Sequence, residues 1–218
     1  DIAKSAGYVT LFAEEFCYEK SHYVAQDNIF KLDADLLPHK VFCRVAERQL
    51  MRKGIKKNKK TPLWKGGGDP LDPCIDGEGS FPKVNVSLNY ISSMWDAYHD
   101  TPKFAYLNAM AAHIYAEYPK MAQAAEAYDD ILSSFLEELL QRDENNNTII
   151  VVRSDHGFQG FHIADYSIQI EAFRPWTEII VPQKYPGISL EALYQNQDRL
   201  VTGHDLYRTL TNLIVGED

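Results

Sequence analysis

The chain has 218 residues, with 22 basic and 31 acidic side chains and a formal net charge of −9. Hydrophobic residues at 45% and aromatics at 12% exclude a disordered or low-complexity protein. No run of about 18 uninterrupted apolar residues occurs, so no membrane-spanning helix is expected. The acidic balance argues against nucleic acid or an anionic membrane surface as partner.

The chain opens at Asp1 with neither an initiator Met nor a signal peptide, and strand-like apolar sequence starts within the first ten residues. Processing, or origin as a piece of a longer protein, is the expectation. After Gly7, Tyr8-Val9-Thr10-Leu11-Phe12 reads as a first strand. Cys17, Cys43 and Cys74 are an odd set without a C-x-x-C pair, which argues against a zinc knuckle. They fit either three free thiols of a cytosolic protein, or one disulfide plus a cysteine whose partner lies outside the chain. Nine basic residues fall between Arg44 and Lys65, followed by Gly66-Gly67-Gly68 and a Pro- and Asp-rich stretch. Such a composition packs no core, so 53–80 reads as a solvated surface excursion rather than a nucleic-acid patch. The remainder is the more acidic for it, which suits a metal-binding surface. Asn85-Val86-Ser87 and Asn146-Asn147-Thr148 are glycosylation sequons beside turn-rich sequence and favour a secretory compartment.

Further strands are expected at Lys103-Phe104-Ala105-Tyr106-Leu107, at Thr148-Ile149-Ile150-Val151-Val152 and at Thr177-Glu178-Ile179-Ile180-Val181, the last stopped by Pro182. Between the first two of these, Ala124, Tyr128, Ile131, Leu132, Phe135, Leu136 and Leu139 recur at helical spacing from Met121 to Leu140. His204 to Leu210 begins a short closing helix. Strands alternating with helices predict an α/β fold with a mostly parallel sheet flanked by helices.

Ligands of open α/β sheets gather at the carboxyl ends of strands, which directs attention to Arg153-Ser154-Asp155-His156-Gly157. Asp155 offers a hard anionic oxygen and His156 a neutral nitrogen. Together they suit a divalent ion such as Zn or Mn, with Ca less favoured by the imidazole.

The order of segments extends this reading. Gly7-Tyr8-Val9-Thr10 leads to Glu14-Glu15, then Cys74, then Phe104 to Leu107 and His113. Ser154-Asp155-His156-Gly157 follows, then Glu171 to Pro175 and Asp205 to Leu210. This series resembles the sulfatase-like family of unassigned function within the alkaline phosphatase superfamily, over nearly the whole chain except the lysine- and glycine-rich excursion. The resemblance implies a metal-dependent hydrolase or transferase of phosphate- or sulfate-type esters, carried on small molecules, glycans or lipids. It implies Asp155 and His156 as ligands of a divalent ion (Zn, Mn or Ca) and His113 in an acid or substrate-contacting role. It also places the nucleophile and a first metal-binding aspartate ahead of the Gly-Tyr-x-Thr segment. On this reading residues 1–218 are the carboxyl-terminal part of a sulfatase-like domain, completed by an amino-terminal part of the same protein. Secretion, or the secretory-pathway lumen, is expected, with any membrane anchor outside this chain. Typical sulfatases follow Gly-Tyr-x-Thr with Gly-Lys-Trp-His, whereas this chain has Ala13-Glu14-Glu15-Phe16, a departure from sulfate recognition. No basic residue lies in Ala164 to Ile170, and His162 is the nearest substitute.

Other polar residues read more simply. Glu171 and Arg174 suit an internal ion pair, and Asp129 and Asp130 suit a solvated helix face. His204 beside Asp205 is read as structural, and Trp95, Tyr98 and Trp176 as core or rim aromatics. The competing function class is a sulfatase-like scaffold that has lost catalysis and serves binding or surface display.

Overall fold

Residues 2–15, 33–38, 74–75, 81–109, 118–142, 147–157, 166–183, 185 and 187–216 are described by a computed structural model. In chain order the elements are α1 (Ile2–Ser5), β1 (Val9–Glu14), β2 (Cys74–Ile75), β3 (Phe81–Pro82), α2 (Lys83–Ala97) and β4 (Lys103–Asn108). Then come α3 (Tyr118–Arg142), β5 (Ile150–Arg153), α4 (Tyr166–Phe173), β6 (Thr177–Ile180), α5 (Leu190–Asn196) and α6 (Gly203–Val215). The excursion expected at 53–80 lies almost wholly outside the described residues.

The glycine of the Gly-Tyr-x-Thr segment has a backbone task. Gly7 has φ of 86°, its N–H donates to the Lys4 carbonyl, and the Tyr8 N–H donates to the Ala3 carbonyl. These two bonds close α1 in a left-handed cap and aim the chain into β1. β1 pairs with β4 in parallel, from Val9 opposite Lys103 to Glu14 opposite Asn108. On the other side of β1, Leu36 bridges to Leu11, also in parallel.

That bridge is pinned by a charged group. One Asp35 carboxylate oxygen accepts from the Thr10 N–H at 2.9 Å and from the Thr10 hydroxyl at 2.8 Å, and Lys4 lies 3.0 Å from the other. The two Thr10 bonds, then the Lys4 ammonium, lower the Asp35 pKa to about 2 from an ordinary 3.8. A depressed carboxyl pKa means that its stabilisation is complete above 3.8 and lost as pH falls toward about 2. Because the Asp35 side chain is 35% exposed, solvent screening holds the contribution to about 1 kcal/mol. Asp35→Asn is therefore expected to lower the melting temperature at pH 6 but to match the parent chain near pH 2, as thermal unfolding followed by circular dichroism will show.

The core lies where α2 covers β1 and β4. Val84, Leu88, Ile91 and Met94 form a stripe at helical spacing and pack on Leu11 and Ala13, with Tyr128, Ile131 and Phe135 of α3 alongside. This helix contradicts the turn-rich setting expected around Asn85-Val86-Ser87, since the first sequon occupies the opening turns of α2 and Ser87 is wholly buried. Burial of its apolar stripe overrides the low helix propensity of Val84, Asn85, Val86 and Asn89.

The protein is α/β, but the mostly parallel sheet is not what the described strands form. They make one parallel pair and two antiparallel pairs, β2 with β3 and β5 with β6. Ile150 faces Ile180 and Arg153 faces Thr177. Strand direction is decided by the connection, and here the chain after β5 runs through α4 and returns along β5 in the opposite sense. The closing helix is longer than expected, running to Val215. Thr202 and Asp205 form a capping box at its start, and Gly216, in the left-handed conformation, ends it.

Candidate metal centre

β5 is half-buried through Val152, and its end is fixed by a pair of bonds across the ladder. The Ser154 N–H donates to the Trp176 carbonyl, and the Trp176 N–H donates to the Ser154 hydroxyl oxygen, each at 3.0 Å. The chain then bends at Asp155, so the dipeptide Asp155-His156 leaves the strand from an anchored point.

The donor geometry of that dipeptide is specific. Asp155 Oδ1 accepts from the His156 N–H at 2.9 Å, which fixes the carboxylate against its neighbour's backbone. His156 Nδ1 lies 2.7 Å from the Gly157 carbonyl oxygen. A carbonyl can only accept, so Nδ1 carries the ring proton in this contact. In the neutral imidazole Nε2 then presents a lone pair. Nε2 and Asp155 Oδ2 are 3.5 Å apart, so two lone-pair atoms face each other. Either a proton on Nε2 or a cation between the two atoms makes this juxtaposition favourable. Ligands about 2.0–2.2 Å from a tetrahedral zinc are separated by about 3.4 Å, so the observed spacing fits two corners of such a site. A bond from Nδ1 to a backbone carbonyl is the usual way in which a ligating imidazole is oriented. Both side chains are open to solvent, 79% for Asp155 and 40% for His156.

Among the described residues no group of three or more His, Cys, Asp or Glu side chains is placed to hold a metal together. His113 and His162 lie outside the described residues, as do Cys17 and Cys43, and the side chains of Cys74, Glu14 and Glu171 are likewise outside them. The Glu171–Arg174 pair thus has only its exposed arginine in view. Arg153 is a residue to which sequence reasoning gave no role. It is exposed, immediately precedes Ser154, and its guanidinium lies against Gly203, 4.0 Å from where a Cβ would stand. Its position directly before Ser-Asp-His-Gly was the available signal.

Glu15 faces elsewhere. It is 2% exposed and accepts a 2.9 Å hydrogen bond from the Ser87 hydroxyl of α2. Burial, and secondarily the charge of Glu15, push the Tyr128 phenol up to about 12. Asp205 is committed to the α6 cap, where the Thr202 hydroxyl and N–H hold its carboxyl below the ordinary range. Trp95 packs at the core edge with the Lys103 ammonium 5.6 Å from its ring centroid, whereas Trp176 is 56% exposed.

Residues 69–217 match the family described as "Protein of unknown function (DUF229)", a span of more than half the chain that includes β5, His156 and α6. No curated protein and no solved structure matches the chain significantly. The chain belongs to DUF229, a sulfatase-like family.

Proposed function

We propose that the chain is part of a metal-dependent hydrolase or transferase of phosphate- or sulfate-type esters, built on an alkaline phosphatase-like sheet. The observation that carries this reading is the pair of facing lone-pair atoms, Asp155 Oδ2 and His156 Nε2, 3.5 Å apart at the end of β5. Asp155 and His156 would hold a divalent ion, with Zn, Mn and Ca the candidates and the nitrogen ligand favouring the first two. When bound, the ion supplies charge neutralisation on the transferring group and lowers the pKa of an attacking oxygen.

The chain's own residues provide the frame for that chemistry. Ser154 and Trp176 anchor the dipeptide, the Gly157 carbonyl fixes the His156 tautomer, and Arg153, two residues before Asp155 in the chain, would supply a cation for an anionic ester. His113 would serve as acid or substrate contact, as the resemblance implies. No residue of this chain is assigned as nucleophile, because the resemblance places that group ahead of Gly7. The segment Ala13-Glu14-Glu15-Phe16, where typical sulfatases carry a lysine and a histidine, argues against sulfate esters, and Glu15 itself is buried against Ser87. A secreted or luminal glycoprotein acting on a small-molecule, glycan or lipid ester completes the proposal.

The test is hydrolysis of aryl phosphate and aryl sulfate by the natural full-length protein, metal-stripped and then reloaded with Zn or Mn. Phosphate turnover restored by metal and lost in His156→Ala supports the proposal. Metal-independent turnover contradicts it, and turnover of neither ester contradicts it in favour of the scaffold reading.

A further inference from the structure

An open groove of about 500 Å³ runs between α2 and α3. Asn85 and Asn89 form one lip and Asp130 and Glu138 the other, over a floor that includes Leu88 and Phe135. Among the described residues no cation lines it, so an anionic ligand is disfavoured. Amides and carboxylates above apolar side chains match the hydroxyl edges and C–H faces of a neutral sugar instead. Asn85 is itself the acceptor of the sequon Asn85-Val86-Ser87, and its half-buried side-chain amide makes no hydrogen bond among the described residues. Ser87, the sequon hydroxyl, is 0% exposed and donates to Glu15, so no enzyme can reach it once α2 has packed on β1.

We propose that Asn85 carries an N-linked glycan, added before α2 packs, whose first sugars then lie in the groove between α2 and α3. The proposal rests on the secretory reading above. In the transfer, the Asn85 amide nitrogen bonds to the anomeric carbon of a lipid-diphosphate-linked oligosaccharide. The anomeric C–O bond breaks, the lipid diphosphate leaves, and one amide proton is released. The Ser87 hydroxyl has two successive tasks, recognition in the extended nascent chain and then the bond to Glu15. The folded chain should therefore be refractory to modification, while an unfolded peptide spanning 80–92 is accepted.

The experiment is site-resolved glycopeptide mass spectrometry of the native protein at Asn85 and Asn146, with fractionation of the cells that make it. Hydroxyl-radical footprinting of Ile131 and Phe135, the half-buried floor residues, before and after enzymatic glycan removal reads the groove. Expected are an occupied Asn85, loss of one glycan in Asn85→Gln with secretion retained, and several-fold greater labelling of both floor residues after removal. A secreted protein glycosylated at Asn146 but bare at Asn85 overturns this proposal alone. A cytosolic, unglycosylated protein overturns it together with the secretory reading. Labelling unchanged by glycan removal overturns the seating in the groove.

Discussion

Asp155→Ala is expected to weaken zinc or manganese binding by at least about 100-fold, because loss of even an outer-shell partner costs about 10–100-fold and this residue is a proposed ligand. His156→Ala should do the same. The double variant should be no worse than the weaker single one by more than a small factor, since either loss already dismantles the pair. Isothermal titration of metal into the stripped natural protein measures all three. Ser154→Ala is informative beside them. It removes the oxygen that accepts the Trp176 N–H at 3.0 Å but no proposed ligand, so a smaller loss of affinity, with the fold intact, is expected. If the Asp155 and His156 variants bind metal as the parent does, the dipeptide is not the metal site.

The largest stability effect is expected in the core. Met94 is 2% exposed at the end of the α2 stripe that covers β1 and β4. Met94→Ala should cost about 2–5 kcal/mol, the transfer free energy of the lost side chain plus the cavity left behind. Leu140, 41% exposed on α3 next to the buried Leu139, is the control, and its replacement by Ala should cost less than about 0.5 kcal/mol. Urea unfolding of the two variants separates them. Comparable losses at Met94 and Leu140 would mean that the α2–β1–β4 layer is not the principal core. Ser87→Ala belongs to a different class. It takes a donor from the buried Glu15 carboxylate at 2.9 Å and should cost about 1–3 kcal/mol through desolvation rather than through volume.

The parts of this fold that were legible in sequence are those whose pattern reflects burial directly. The apolar runs at Val9, Lys103, Ile150 and Thr177 are strands, because each has the length and β-branched or aromatic content of a pleated surface. The spacing of Tyr128, Ile131, Phe135 and Leu139 marked α3 for the same reason. α2 was hidden because its buried positions alternate with Asn85, Val86 and Asn89, which locally prefer other conformations, and only packing against Leu11 and Ala13 decides the matter. The antiparallel return of β6 was hidden because a half-buried strand reads alike in either direction. At the site, the position of Asp155 and His156 at a strand end was readable from one apolar run and a glycine. The tautomer of His156 was not, since it depends on the Gly157 carbonyl lying 2.7 Å from Nδ1. Nor was the inward turn of Glu15, which needs a partner 72 residues away in sequence.

The most direct test of the proposal that Asp155 and His156 bind a metal ion is X-ray absorption at the zinc edge on the reloaded natural protein, in parallel with His156→Ala. Two first-shell contributions are predicted at about 2.0–2.2 Å, one of them an imidazole with its outer-ring scattering, and the imidazole signal should disappear in the variant. A bound zinc with the same spectrum in parent and variant would contradict the assignment.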